Sequence, residues 1–293
     1  MPALKGLLDN RKKAVLLTVL VGFLWGTSFP AIKIGLKYMD AYTFVFLRFL
    51  LASFIMLAVA VSTKNFSFRF GRKWLILLLG LTNGVAYLLQ YVGMIYVSAS
   101  ASSLFVNLSV VWVALLAPLI FREQIGWKKT WGVVVSLVGV ILMTTNLDFS
   151  ALSQGMLVAD LIVILAGFLW AIFILYNKPL VHESGNIVLA VTWLLIFTML
   201  PLVWIAPVSA RVFFTLPLEA WLAILYTAVF CWVVPYYLWL KGLKHISPVT
   251  SAVALLAEIV AAVIIATLVL GETFTIISGI GAVCIMVAIL LVS

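Results

Sequence analysis

Asn83, Tyr87 and Tyr91 fall four residues apart in the apolar stretch 74–96, with Gln90 beside them. On a helix, the spacing i, i+4, i+8 stacks side chains along one face. An amide and two phenols at membrane depth need hydrogen-bond partners that lipid does not supply. The chemistry open to such a face is binding, by hydrogen bonds and ring contacts in a cavity. The alternative is hydrogen bonding between neighbouring helices.

Tryptophans extend the pattern. Trp25 and Trp170 lie deep in two different apolar stretches, and Trp112 lies deep in a third. A deep indole N–H must find a partner or face water. Such rings can form an aromatic wall that stacks on a substrate or attracts an ammonium group, or they can simply pack. Trp232, Tyr236, Tyr237 and Trp239 crowd around Pro235. That proline removes a backbone donor and is expected to kink or hinge its helix. Tyr237 is taken as the ring lining the site.

Glu258, in "ALLAEIVAAVIIA", is the sharpest single feature. Placing a carboxylate near the middle of a membrane span costs at least about 2.5–3.5 kcal/mol, so function is the first reading. It could bind a substrate ammonium, carry a coupling proton or hydrogen-bond a neighbour. Asn107 is a second deep polar group, with Ser100 and Ser103 on roughly its face.

Enzymatic chemistry finds little to work with. There is no H-E-x-x-H, paired-aspartate motif or Gly-rich phosphate loop. Two histidines, both in expected loops, and two cysteines inside apolar runs make no zinc set and no disulfide framework. No catalytic residue, metal or cofactor is therefore expected. Of the 293 residues, 66% are hydrophobic and 9% charged, which a single soluble core cannot hide. The net charge of +9 is no nucleic-acid footprint, because the basic residues are dispersed between apolar runs. A lipid bilayer is the expected solvent.

The elements that must position these residues are ten apolar segments, at about 14–36, 43–62, 74–96, 99–121, 129–146, 156–177, 187–207, 217–240, 248–270 and 274–292. Lipid requires internally paired backbone, so each is expected to be a helix. The first is read as an uncleaved span rather than a signal peptide. Fourteen of the 18 Lys and Arg residues fall on one side of this arrangement, which places both termini in the cytoplasm. Lys33 and Arg48 lie near outer ends of their spans, and snorkelling or structural pairing is the favoured account of both. Glu123 and Glu272 are read as helix-start groups. Trp74, Trp127, Trp131, Trp204 and Trp221 fall where a headgroup belt would be.

The chain also repeats itself. "GFLW" occurs at 22–25 and again at 167–170. Further on, Ser98, Glu123 and Gly132 match Ser247, Glu272 and Gly281, and "LVGVILM" (137–143) matches "MVAILLV" (286–292). Spans one, four and five thus match six, nine and ten. Five spans per half invert the second copy, an arrangement that recurs in transporters with a site near the midplane. The expected fold is all-α, with ten transmembrane helices in two inverted five-helix repeats. The halves, 1–147 and 148–293, together form one transport domain. Channels and membrane enzymes can also be duplicated.

"GFLWGTSFPAIK" (22–33), "FLRFLLA" (46–52) and "LVLGET" (268–273) resemble the drug/metabolite transporter superfamily, in its EamA-type branch. The resemblance covers the whole chain, in the order and spacing of these motifs. The chain departs from the pattern where the first half reads "FREQ" against "LGET", and where the second half lacks a copy of the Arg-Phe pair. The resemblance implies export of amino acids and related metabolites across a bacterial inner membrane by alternating access. Aromatic or bulky hydrophobic substrates are favoured by the aromatic content. A passive channel or facilitator is the alternative, and an intramembrane enzyme a weaker one. The residues expected at the substrate site are Trp25, Asn83, Tyr87, Tyr91, Asn107, Trp112, Trp170, Tyr237 and Glu258, with Glu258 also a candidate for proton coupling. The expected partners are a small-molecule substrate, the bilayer and, as coupling ion, protons; no nucleic acid is expected.

Overall fold

A computed structural model describes residues 2–68, 71–94, 96, 99–122, 124–149, 157–183, 185–204, 215–270 and 274–293. Among these residues the regular structure is entirely helical. The first half holds α1 (Pro2–Gly26), α2 (Ser28–Gly35), α3 (Ala41–Ser62), α4 (Lys73–Met94), α5 (Ala99–Asn107), α6 (Ser109–Phe121) and α7 (Trp127–Thr145). The second holds α8 (Leu157–Glu183), α9 (Ile187–Val203), α10 (Leu218–Ala228), a π-helical turn (Val229–Val233), α11 (Val234–Leu243), α12 (Pro248–Leu255), α13 (Ala257–Leu270) and α14 (Ile276–Val292). Seven helical stretches are long and apolar enough to cross a membrane: 41–62, 73–93, 102–121, 127–145, 157–182, 218–243 and 248–265. Two shorter apolar helices, Ile187–Val203 and Ile276–Val292, accompany them.

Three expected spans are interrupted, at Thr27, Leu108 and Leu256. Each interrupting residue stays right-handed, with ψ at −13°, −13° and −11° respectively. That is shallower than the roughly −42° of an α-helix and tightens one turn toward 3₁₀ geometry. The bonds follow suit, with Val111 N–H donating to Leu108 O at 2.9 Å and Ile259 N–H to Leu256 O at 3.0 Å. The breaks at Leu108 and Leu256 occupy matching places in the two halves.

Pro235 follows a local change in helix geometry. The chain accommodates it with the π-helical turn immediately upstream. A proline lacks its own N–H and its ring crowds the carbonyl four residues back. The wider turn gives that carbonyl room. Pro118, Pro179 and Pro201 lie inside helices that run on past them.

Glycines set the closest approaches. A Cβ on Gly22 of α1 would stand 2.7 Å from the Leu255 carbonyl oxygen, at the α12–α13 break. A Cβ on Gly167 of α8 would stand 2.8 Å from the Phe105 carbonyl oxygen, beside the α5–α6 break. The glycine of each "GFLW" therefore lets its helix lie on the broken helix of the opposite half. The other principal pairings are α7 along α14, and α4 between α8 and α9. The main apolar core runs continuously through both halves, from Val21, Phe49 and Leu79 to Leu195, Trp239 and Val253. Leu16, Phe54, Leu78, Leu119 and Leu290 point outward. Trp74, Trp127, Trp131 and Trp204 are exposed too, as a headgroup belt requires.

Loop contacts gather by side. At the end that the charge bias assigns to the cytoplasm, Lys178 Nζ donates to the carbonyls of Leu243, Lys244 and Ile246 at 2.6, 3.1 and 2.8 Å. Arg11 donates to Val292 O at 3.1 Å, and Asn186 to Asn65 Oδ1 at 2.8 Å. At the other end, Tyr38 donates to Glu219 at 3.1 Å, and Asn146 Oδ1 accepts from Ser278 at 2.7 Å. Asp40 caps α3 there, accepting from the Thr43 N–H at 2.9 Å and the Thr43 hydroxyl at 2.6 Å. Partial burial by itself would raise the Asp40 carboxyl, but the Thr43 bonds outweigh it and hold it below its ordinary value.

Candidate functional site

The α3 helix carries Arg48 inward. The side chain is only 5% exposed, so of the two accounts expected of it, snorkelling does not occur. The Asp40 cap fixes where α3 begins, and at 1.5 Å per residue Arg48 lies about 10 Å along the helix. Packing against the other half then encloses it. Its guanidinium carbon stands 5.3 Å from the ring centroid of Phe49 and 5.7 Å from that of Tyr87. Both rings attract it as cation–π partners. Its Nε has no hydrogen-bond partner among the described residues.

Around it the aromatic rings form a continuous chain. Tyr87 of α4 meets Phe49 and Trp170 edge-on, each with centroids 4.9 Å apart. Phe49 in turn meets Trp232 at 5.0 Å. The Trp232 indole N–H, in the π-helical turn, donates to the Tyr87 hydroxyl at 3.1 Å. Trp232 stacks on Tyr236 at 4.7 Å, whose hydroxyl donates to Asn177 Oδ1 at 2.7 Å. Tyr236 leans on Trp239, which reaches Trp25 at 6.3 Å. The Trp239 N–H donates to Ser251 Oγ at 2.8 Å. The chain thus links α1, α3 and α4 of the first half to α8 and α11 of the second. Tyr87 and Trp170 remain half-buried despite their central positions. The Trp170 Nε1 has no partner among the described residues.

Glu258 lies in the first turn of α13, immediately past the break at Leu256. The N-terminal position favours a negative charge through the helix dipole. Gly22 and Gly26 of α1 press on the backbone at Leu255 and Glu258. The side chain is half-buried and has no hydrogen-bond or ion-pair partner among the described residues. The Arg48 charge acts electrostatically on Glu258, and both charges act on Cys231. Cys231 lies 3.8 Å from Thr27 Oγ1, which also accepts from the Tyr226 hydroxyl at 2.8 Å. The break in the first segment is thereby tied to the π-helical turn.

The other expected site residues divide. Tyr91 packs on the core beside Tyr87 and feels the Arg48 charge. Asn83 is 1% exposed and donates to Thr198 Oγ1 of α9 at 3.1 Å, the interhelical alternative for that face. Asn107 donates to the Ser103 carbonyl one turn earlier, at 2.8 Å. Trp112 meets Phe168 edge-on at 5.5 Å, and its Nε1 has no partner among the described residues. Tyr237 is not in the ring chain; its ring faces Lys241, with Nζ 5.6 Å from the centroid, while its neighbour Tyr236 fills the centre. Glu123, Arg211 and Glu272 lie outside the described residues, as does the side chain of Lys33.

Sequence reasoning missed Arg48, Phe49 and Asn177. The signal for Arg48 was present, since "FLRFLLA" puts it two turns past a capping "DAYT". No cluster of His, Cys, Asp and Glu suited to a metal occurs among the described residues. Among the described residues the arrangement offers a guanidinium and a carboxyl group that form no ion pair, aromatic faces, and two indole N–H groups without partners.

Comparison with other proteins finds the same organisation. The profile of the EamA-like transporter family matches residues 12–145 and again 157–293. An uncharacterized transporter of Archaeoglobus fulgidus is 29% identical over 248 residues, covering 82% of this chain and 83% of that protein. A probable amino-acid metabolite efflux pump of Salmonella typhimurium is 27% identical over 291 residues, covering 94% and 93%. One protein crystal structure superposes with a TM-score of 0.76 at 12% identity, covering 96% of each chain, a likeness of fold alone.

Proposed function

Because the chain belongs to the EamA-like transporter family, matched once along each half, we propose that it is a multi-pass secondary transporter that exports amino acids and related metabolites from a bacterial inner membrane. Aromatic or bulky hydrophobic substrates are favoured. The substrate site lies where the two halves, 1–147 and 148–293, meet. Ten crossings with cytoplasmic termini, and alternating access by rocking of inverted repeats, complete the reading. The Salmonella relative, named for amino-acid metabolite efflux, supports the substrate class.

One observation carries this reading. The rings of Tyr87 and Trp170, from opposite halves, meet edge-on at 4.9 Å while staying half-buried, beside the buried Arg48. Lipid-facing packing would not call for a charge and an unpartnered indole N–H at such a place. Rocking of one half against the other would separate these rings and expose their faces alternately. In this scheme Glu258, at the mouth of a helix break, is the group that carries any coupling proton.

The test is export of radiolabelled L-phenylalanine, L-tryptophan and L-leucine from proteoliposomes. Saturable flux that external substrate trans-stimulates is expected of a carrier. Linear, unstimulated flux would instead mark the passive facilitator. Changing both Trp25 and Trp170 to Ala is expected to reduce flux at least tenfold, on the scale of stacking energies lost with two rings. Unaltered flux in that double variant would remove the site.

A further inference from the structure

Arg48 is a buried cation with too few partners. Leaving a charge inside a membrane protein without an ion pair or a full set of hydrogen bonds is costly. Phe49 and Tyr87 offer ring faces and the Tyr87 hydroxyl a hydrogen bond, but the Nε N–H is unpaired among the described residues. An acidic group across the halves, Glu258, is within electrostatic reach and yet, among the described residues, forms no ion pair with it. Glu258 itself has no hydrogen-bond partner among the described residues. Direct pairing would be the ordinary solution for two such groups. Their separation leaves a guanidinium on the first half, held against the rings of Phe49 and Tyr87, and a carboxyl group on the second within its field.

Resting on the exporter reading above, we propose that Arg48 is the carboxylate anchor of the site and that Glu258 receives the ammonium, so that the site selects zwitterions. A guanidinium presents a planar fork of donors that matches a carboxylate in two parallel bonds, which an ammonium of Lys cannot do. An α-amino acid carries its two charges one carbon apart and holds its side chain to one side. Bound between Arg48 and Glu258, it neutralises both. Its side chain then lies against Tyr87, Trp170 and Trp232. A carboxylate without an amine, or an amine without a carboxylate, leaves one protein charge uncompensated. Specificity arises from that penalty more than from the added contacts.

The full-length protein in detergent is titrated with L-phenylalanine, L-phenylalaninamide and 3-phenylpropionate, read by indole fluorescence and by thermal shift. In the unaltered protein, loss of either charged group is expected to weaken binding about 10- to 150-fold, the range for a lost charge-assisted hydrogen bond. In Arg48→Gln the gap between L-phenylalanine and its amide is expected to close to within about threefold, while the gap to 3-phenylpropionate persists. Glu258→Gln is expected to show the converse. Arg48→Lys keeps the charge and serves if Arg48→Gln does not fold; it is expected to weaken L-phenylalanine about tenfold or more and leave the amide unchanged. If the Arg48 variants weaken L-phenylalanine and its amide by the same factor, Arg48 is structural and this proposal falls while the exporter reading stands. If the unaltered protein binds neither L-phenylalanine, L-tryptophan nor L-leucine, the exporter reading and this proposal fall together.

Discussion

The indole N–H of Trp232 donates to the phenol oxygen of Tyr87 at 3.1 Å, joining the π-helical turn of the second half to α4 of the first. Both rings also flank Phe49. Tyr87→Phe keeps the ring contacts and removes the acceptor. A buried N–H left unpaired costs about 1–3 kcal/mol, and the unfolding midpoint in detergent is expected to fall accordingly. Once Tyr87 is Phe, changing Trp232 to Phe as well is expected to cost little more than its ring area, because the shared bond is already gone. Independent, additive losses in the two variants would show that the bond contributes nothing.

The glycines of the two "GFLW" motifs give a second prediction. Gly22→Ala would put a Cβ 2.7 Å from the Leu255 carbonyl oxygen, and Gly167→Ala one 2.8 Å from that of Phe105. Backbone cannot yield as a side-chain tip does, so each change is expected to destabilise by roughly 1–3 kcal/mol, the range for overpacking. Gly71, where a Cβ would meet nothing within 4 Å, is the control and should tolerate Ala. Equal thermal midpoints for all three variants would contradict the close approach. The same contacts make loss of transport at 22 and 167 similar in size, since each glycine rests on the broken helix of the other half.

These cases also show what the sequence could disclose. Apolar length located most of the helices, because lipid leaves the backbone few options. The spacing of Tyr87 and Tyr91, and the depth of Trp25, Trp170 and Glu258, marked residues that lipid would not retain without cause. The interruptions at Thr27, Leu108 and Leu256 were invisible, because leucine and threonine carry no breaking signal and the shift in ψ is only about 30°. Pro235 marked a place where the helix changes geometry, though the π-helical form of that change was not legible. For Arg48, the expectation of snorkelling or structural pairing rests on distance to the headgroups; the capping "DAYT" gives its depth along α3, but which helix face meets the opposite half is not written in the residues around 48. Tyr237 and Tyr236 differ by 100° around one helix, and choosing between them needed the packing of α11 against α8 and α1.

Asp40 supplies a prediction in pH. Its carboxyl is held low in the folded protein, since the Thr43 bonds outweigh the opposing effect of partial burial. A depressed folded value means that the cap contributes stability above the unfolded value of about 3.9, and loses it as pH falls through the folded value. Asp40→Ala is therefore expected to cost about 0.5–2 kcal/mol near neutral pH, as for other lost N-caps. The difference from the unaltered protein should shrink below about pH 4. A difference that is constant from pH 7 to pH 3 in thermal unfolding would show that the carboxylate charge is not what caps α3.

Glu258 carries the last prediction. Its carboxylate sits in the first turn of α13, unpartnered, within the field of Arg48 and beside the break at Leu256. A group so placed can exchange its counter-charge as the halves move, holding a proton in one state and a substrate ammonium in another. If it is the coupling group, an imposed proton gradient should accelerate export by the unaltered protein and leave Glu258→Gln indifferent. The glutamine is nearly isosteric and cannot ionise, so stability should change little while gradient dependence disappears. The repeat-related position, Ser109, carries no charge, so no second carboxylate at that place can substitute for it. The measurement is initial efflux rate from proteoliposomes with and without a pH difference, at matched protein density. Equal gradient dependence before and after the change would rule out Glu258 as the coupling group. It would leave the residue to substrate binding alone, with the proton, if one moves, carried elsewhere.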